Sequence, residues 1–494
     1  MIANQAERPT RALFRTVAHV LGSVLIFIGI GMATAAVVSV LHRETGAALG
    51  IGAAALATSA TGLVTRRLFQ LPASITVKQG FATVGLAWFV FSLFGTLPYL
   101  FTGAIPDFAD AFFETASGFT TTGSSVLPNP ETLPHGILFW RALTQWLGGL
   151  GVIVLGVAVL PLLGTGGMQL VRAETSGPAV DRLAPKLQGT AKRLWLVYGV
   201  LTVTEIVFLY MGDMTGFEAV VHSMATMSTG GFATKATSLA SFSAYTKWVI
   251  TVFMFLGGIS FALHFRAFRR PVDYARSAEL RLYVILVVSA VILATGGLLP
   301  RFPFGEALLE GGVTVVSIIT TTGFASSDFG LWRPALQVLI VGLMFLGGMA
   351  GSTAGGIKTF RIGVLTKAAY ADLRRLVHPR GVFRVTLGRQ KVSDPVVESV
   401  QSFFLFYMFL FMTATFLLTF IDANLGEDLD LITSASAVAS AMGNIGPGLG
   451  DVGPAYNFAF MPAPAKFLLS GLMILGRLEI FPVLVLFTRD LWKR

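Results

Sequence analysis

The chain has 494 residues, of which 54% are apolar and only 13% charged, and its mean hydropathy is +0.73. So few charges cannot cover that much apolar surface in water, which excludes a soluble globular protein and leaves a polytopic membrane protein. The absence of cysteine excludes thiol catalysis, disulfides and thiolate metal sites, and six scattered histidines with no His-Glu-x-x-His exclude an intramembrane zinc protease.

The net charge of +10 is not read as a nucleic-acid footprint, because its distribution follows membrane topology. Lys and Arg gather in Arg8–Arg15, Arg66–Lys78, Arg172–Arg193, Arg266–Arg281, Lys358–Lys391 and Arg489–Arg494, which are alternate loops and therefore cytoplasmic faces. The opposing segments 102–138, 211–245, 297–332 and 423–465 hold thirteen acidic residues against Lys235 and Arg301. Some of these, Asp107 and Asp430 among them, read as helix caps. Together they also predict an outer vestibule whose negative field concentrates cations.

In chain order, Arg8, Arg11 and Arg15 precede the apolar run Val17–Val40. Ala33-Thr34-Ala35 has the form of a leader cleavage site, but the run continues past it and is too long for a leader. We read it as an uncleaved first span with the N-terminus in the cytoplasm. A second span, about Ala47–Val64, returns to Arg66-Arg67 and completes a leading pair within 1–79. From residue 80 a four-part pattern begins, with predicted segments 80–192, 193–280, 281–395 and 396–494. Each holds an outer helix, a half-length helix (Asp107–Ser117, Phe217–Met227, Phe304–Thr320, Leu429–Ala441), a glycine-containing loop and an inner helix. The total is ten spans and four re-entrant loops, with both termini cytoplasmic.

The four loops are Thr120-Thr121-Thr122-Gly123, Ser228-Thr229-Gly230, Thr321-Thr322-Gly323 and, most diverged, Asn444-Ile445-Gly446. A second glycine signature follows 24 to 30 residues later in each: Leu147-Gly148-Gly149, Leu256-Gly257-Gly258, Leu346-Gly347-Gly348 and Leu475-Gly476-Arg477. One Thr-Thr-Gly is an ordinary turn; four copies at near-constant offset are an internal repeat. Irregular backbone at membrane depth must line a polar path. A dehydrated cation needs a ring of oxygens there, and glycine frees the backbone to turn successive carbonyls the same way. The pattern implies a pore.

These motifs resemble the superfamily of Trk, Ktr and plant HKT potassium transporters over about residues 80–494, and the leading pair resembles the bacterial Trk-type membrane subunit. The matches are Ser117-Gly118-Phe119-Thr120-Thr121-Thr122-Gly123, Ser228-Thr229-Gly230-Gly231-Phe232, Gly347–Lys358 and Gly476-Arg477-Leu478-Glu479-Ile480. The resemblance implies an all-α fold of four fused helix–pore-loop–helix repeats with pseudo-four-fold symmetry, and K+ as the transported ion. It carries the filter glycines onto Gly123, Gly230, Gly323 and Gly446, a set that in the family accompanies potassium preference. It also implies a homodimer in the lipid of the cytoplasmic membrane. A cytoplasmic nucleotide-binding regulatory subunit of the TrkA kind would dock on the basic loops, and no nucleic acid or organic cofactor is implied. Asn444-Ile445 departs from Thr-Thr, so the filter is only pseudo-symmetric and its innermost oxygen site is expected to be weak.

Gly347, Gly348, Gly351, Gly355 and Gly356 crowd the third inner helix, and at about 1 kcal/mol each against alanine they predict a break. The break is a packing kink or, as the resemblance implies, an intramembrane loop that obstructs the path and moves to open it. The stretch nearly matches a phosphate loop, but Ile357 separates Gly356 from Lys358. Arg477, midway along the last helix with Lys358 expected nearby, is either a positive barrier beneath the filter or a cap for carbonyls freed by a break. His222 and His264 are expected to pack or hydrogen-bond, and Glu114 and Glu310 to brace the filter or face the vestibule.

No nucleophile–base pair or metal-ligand set appears, which argues against an enzyme. The alternative to a channel-like pore is a sodium- or proton-coupled secondary transporter that rocks its repeats. That mechanism predicts paired helix breaks, and the sequence offers a strongly glycine-rich one in the third repeat only.

Overall fold

The computed structural model describes residues 9–69, 77–158, 187–388, 390–426, 429–484 and 488. The basic segment from Arg172 to Lys186 and the C-terminal Arg489–Arg494 lie outside them. The described residues are overwhelmingly helical, with one two-stranded hairpin, Thr386–Leu387 against Gln390–Lys391. The chain divides into two compact units, Met1–Ala116 with Thr132–Arg141 and Leu478–Arg494, and Ser117–Glu131 with Ala142–Arg477.

The first unit is built on α1 (Pro9–Leu41) and α2 (Thr45–Leu68). A glycine-lined seam lets them approach closely: Gly22 abuts the carbonyl of Gly62, Gly62 that of Gly22, and Gly29 faces Ser59. Arg43 takes a left-handed turn at φ +62° between them. Glu44 follows it and accepts hydrogen bonds from the His135 amide and ring Nδ1, each 2.8 Å, at the start of α6 (His135–Ala158). Helices α3 (Val77–Gly95) and α4 (Leu97–Thr102) run on past Pro98, which sits at the start of α4 where its missing N–H costs nothing. The chain turns at Gly103, in left-handed backbone at φ +70°.

Four short helices stand at the expected places: α5 (Phe108–Phe119), α8 (Gly216–Met227), α13 (Phe304–Ile319) and α17 (Leu431–Gly443). At 12, 12, 16 and 13 residues they are too short to cross a bilayer, which takes about 20. Two of their starts are capped as the sequence suggested, where Asp107 accepts from the Asp110 amide and Asp430 from the Thr433 amide. Thr215 and Glu218 add a reciprocal capping box at α8, and α13 starts after Pro303 without a side-chain cap. The outer helices α7 (Leu187–Tyr210), α12 (Ala278–Leu298) and α16 (Asp394–Leu425) alternate with them. In the second unit the core runs through Ile250, Met254, Tyr283, Val313, Ile319 and Met344, so α13 is packed between α9 (Ala244–Gly257), α12 and α14 (Pro334–Met344).

Six helices among the described residues are long and apolar enough to span a membrane, and a seventh if α9 and α10 (Phe261–Arg269) count as one path despite a 96° bend. The chain is a multi-pass membrane protein. Fewer spans qualify than the ten expected, and three of the inner helices are interrupted. The third stops at Met344 and resumes as α15 (Thr359–Val377); the fourth, α18 (Ala463–Arg477), stops at Arg477 before α19 (Phe481–Leu484). Two expectations are corrected here. The break is not confined to the third repeat, and Arg477 is the last residue of its helix rather than midway along it, followed by Glu479 and Ile480 at φ +56° and +65°. The inner helix α6 alone among the four passes its glycine pair unbroken.

Candidate ion-binding loops

Each short helix ends into the same backbone figure. The amides of Thr121, Thr229, Thr321 and Asn444 return to the carbonyl three residues back (3.0, 2.9, 3.1 and 3.3 Å). Those of Thr122, Gly230, Thr322 and Ile445 return five residues back (2.8, 2.8, 2.8 and 3.0 Å). The first residue of each pair is left-handed, at φ +54°, +54°, +56° and +54°, a conformation costly for threonine. Two residues on, Gly123, Gly231, Gly323 and Gly446 are left-handed again, at φ +88°, +77°, +84° and +113°. Alternation of this kind turns successive carbonyls to one side.

The glycines also close a ring. A Cβ on Gly123 would strike the carbonyl oxygen of Gly230, on Gly231 that of Thr322, on Gly323 that of Ile445, and on Gly446 that of Thr122. Each loop's glycine therefore seats the carbonyl of the next, through all four and back to the first. This geometry corrects the register of the second loop. The residue equivalent to Gly123 is Gly231; Gly230, which the sequence aligns with it, occupies the place of Thr122. The adjacent Gly-Gly made the two indistinguishable by residue type.

Side-chain oxygens line the left-handed level. Thr121 Oγ1 and Asn444 Oδ1 are buried there without a hydrogen-bond partner. Thr321 Oγ1 accepts from the Gly355 amide at 2.6 Å, and Thr229 Oγ1 donates to the Ser228 carbonyl. Asn444 thus offers an oxygen where the other loops have threonine hydroxyls, while its Nδ2 donates to Thr122 Oγ1 (3.0 Å) and the Met473 carbonyl (2.8 Å). Unpartnered, fully buried oxygens beside a ring of carbonyls fit an alkali cation as substrate. Among the described residues no cluster of three His, Asp or Glu could hold a metal ion, so carbonyls and hydroxyls are the available ligands. The ring is not four-fold in its bracing. Gln145 Nε2 donates to the Gly230 carbonyl at 2.6 Å while its Oε1 accepts from the Phe232 amide, and Ser124 and Ser440 both donate to the Gly446 carbonyl at 2.8 Å.

The second glycine signature seats the short helices' ends. Gly148 abuts the Phe119 carbonyl and Gly476 the Met442 carbonyl, so the inner helices lie against the loop bases without a Cβ between. Below, residues 345–358 form a compact loop whose ends pair as a parallel bridge, Leu346 with Ile357. Gly347 packs on the Gly355 carbonyl and Gly356 (φ +66°) on that of Leu346. Thr353 Oγ1 donates to the Met227 carbonyl at 3.1 Å, the Gly355 amide bonds Thr321, and Gly355 abuts the Gly443 carbonyl. The loop is therefore fastened to the bases of the second, third and fourth glycine loops. Gly348 packs on the Gly258 carbonyl and Gly351 (φ +76°) faces Ser260, both at the α9–α10 break.

Arg477 is buried and donates through Nη1 to the Thr353 carbonyl at 2.6 Å and through Nη2 to the Gly148 carbonyl at 3.4 Å. It caps a carbonyl of the 345–358 loop and one of α6, as the capping reading expects. Lys358 Nζ donates to the Ala354 carbonyl. The amides of Met349, Ala350, Ser352, Gly355 and Thr359 all bond acceptors within the protein.

Glu114 and Glu310 are braces. Glu114 pairs with Arg141 (Nη2 at 2.8 Å), both side chains buried, and Glu310 pairs with Lys247 at 3.3 Å and accepts from Ser326. His222 is wedged between Phe242 and Phe324 with Nδ1 on the Glu218 carbonyl, and His264 bonds Tyr274 and the Leu256 carbonyl. Sequence reasoning missed Gln145 and Glu279. The available signal was a polar side chain at membrane depth, which defaults to a functional reading.

Fold and loops define a helical membrane transport protein with re-entrant loops around a ring of carbonyls. The model of the TrkH family, described as a cation transport protein, matches residues 50–275 and 278–493. The Trk system potassium uptake protein TrkH of Escherichia coli strain K12 is 36% identical, the alignment covering 97% of this chain and 99% of that one. TrkI of Halomonas elongata, also titled a Trk system potassium uptake protein, is 36% identical over 96% of each chain. The crystal structure of the potassium transporter TrkH from Vibrio parahaemolyticus superposes with a TM-score of 0.88 at 34% identity, over 97% of this chain and 100% of that one. The chain belongs to the TrkH family of cation transport proteins, whose named relatives are transporters rather than enzymes.

Proposed function

We propose that the chain is the pore-forming membrane subunit of a potassium-uptake system of the cytoplasmic membrane. The observation that carries this reading is the closed ring, in which Gly123, Gly231, Gly323 and Gly446 each seat the neighbouring loop's carbonyl. The carbonyls replace the hydration shell of K+, and the side-chain oxygens of Thr121, Thr229, Thr321 and Asn444 receive the ion at the inner end. The short helices end one or two residues before these oxygens, so their C-terminal partial charges favour a cation there. Residues 345–358 obstruct the path beneath, Arg477 adds a positive barrier, and opening requires the loop to leave the filter bases. Both termini are cytoplasmic, the protein works as a homodimer, and a nucleotide-binding subunit of the TrkA kind drives the loop from the cytoplasmic face. The four predicted repeats are the units that supply one loop each.

One observation favours a rocking, ion-coupled transporter as a second reading: inner helices are broken in three repeats rather than one. These breaks converge on the filter and the loop below it, which suits gating of a fixed ring equally well. Rubidium uptake in cells lacking their own potassium uptake, supplied with a matched regulatory subunit, tests the proposal. Wild type should restore growth at low potassium, and Gly123→Ser should keep uptake while losing discrimination against sodium. Failure of wild type to restore uptake would refute potassium as the substrate.

A further inference from the structure

Glu279, the second residue of α12, is buried, and its Oε1 accepts a hydrogen bond from the Ala350 amide at 2.7 Å, midway through the 345–358 loop. Lys358, where that loop re-enters helix, lies within electrostatic reach of the carboxylate. Two backbone bonds flank this contact. The Met349 amide donates to the Gly258 carbonyl at 2.8 Å, and the Phe261 amide to the Gly351 carbonyl at 3.0 Å. Gly258 and Phe261 border the 96° break between α9 and α10, so the loop apex satisfies groups that the break set free. The apex and the broken second inner helix are thus stitched together, and Glu279 is the acidic side chain that fastens the pair to the third outer helix.

We infer that Glu279 is a positioning residue for gating: its carboxylate latches the apex at Ala350 and holds the loop in its obstructing place. The inference rests on the gate reading above. Removing the acceptor of the buried Ala350 amide strands the donor, which costs more than an ordinary hydrogen bond contributes. With the acceptor gone, the closed arrangement loses this contact while an open one, with the Ala350 amide free to find another partner, does not.

The test uses the full chain with its regulatory subunit in liposomes, comparing wild type, Glu279→Gln, Glu279→Ala and a variant with the loop shortened between Gly348 and Gly355. Stranding the buried Ala350 amide in the closed arrangement should raise the open fraction by about tenfold, so Glu279→Ala should raise maximal rubidium flux about that much. Glu279→Gln, which keeps an acceptor without the charge, should fall between. Half-saturating potassium and potassium–sodium discrimination should not move, whereas general loosening of the fold would disturb them. Because the chain has no cysteine, Ser352→Cys gives a single thiol on the buried loop. Its modification from the cytoplasmic side should accelerate in the Glu279→Gln background.

If the shortened loop raises flux but both Glu279 variants match wild type in flux and labelling, the latch is refuted and the gate stands. If the shortened loop does not raise flux either, the gate reading falls and the latch with it. Loss of flux in Glu279→Gln without faster labelling would also refute the latch.

Discussion

Replacing Gly231 with alanine separates the register read from the backbone from the register read from residue types. At φ +77° an L-residue pays about 1–2 kcal/mol for the left-handed conformation. Its Cβ would also collide with the Thr322 carbonyl, a backbone atom held in the ring, which adds overpacking of about 1–3 kcal/mol. At Gly230 φ is not in the left-handed region, and a Cβ meets the terminal amide of Gln145, the far end of a flexible side chain. Gly230→Ala therefore carries no left-handed cost, but displacing Gln145 breaks its bonds to the Gly230 carbonyl and the Phe232 amide, at about 1–3 kcal/mol. The assay is rubidium uptake with potassium or sodium as competitor. Gly231→Ala should lower potassium-selective uptake more than tenfold, since about 1.4 kcal/mol at the ring already suffices for that, and Gly230→Ala should lower it less, through the displaced Gln145 brace alone. The reverse order would refute the register, and equal loss would refute the argument that the ring contact decides.

Arg141→Ala should destabilise the protein by about 3–5 kcal/mol because it leaves Glu114 buried without its cation, and a joint Arg141→Met, Glu114→Leu replacement should recover much of the loss in a detergent melting assay. Gln145→Leu should weaken potassium–sodium discrimination, because it frees the Gly230 carbonyl and strands the Phe232 amide at a cost of about 1–3 kcal/mol; unchanged discrimination would show that the brace does not shape the ring. Asp213 lies outside the spanning segments, and although partial burial pushes its carboxyl up, hydrogen bonds from Thr246 and Ser243 hold it net below the usual range. A depressed carboxylate contributes stability above its unfolded value, near pH 4, that is lost as pH falls through the folded one, so Asp213→Asn should lower the melting temperature at pH 7 and flatten its decline below about pH 4.

The helical class and the places of the short helices were legible because they rest on local signals. Hydropathy marks the spans, and Asp107 and Asp430 mark helix starts by side-chain oxygens that cap the nearest free amides. What was not legible depends on tertiary partners. The break after Gly257 carries two glycines, no more than α6 carries unbroken at Gly148-Gly149. What distinguishes the second repeat is that the 345–358 loop bonds Gly258 and Phe261, 91 and 90 residues before Met349 and Gly351. The Gly230–Gly231 ambiguity is of the same kind, since only the carbonyl of Thr322 in another repeat decides which glycine must lack a Cβ. Arg477 was singled out by its charge, but its partner, the Thr353 carbonyl, lies 124 residues away.

The account's central claim is that the carbonyls of Thr122, Gly230, Thr322 and Ile445 form the site through which potassium passes. Anomalous X-ray scattering from crystals of the full chain grown in rubidium measures this directly. The account predicts anomalous density on the axis of that ring, displaced by potassium and not by sodium. Rubidium density elsewhere in the protein with none at the ring, or density there displaced equally by sodium, would contradict it.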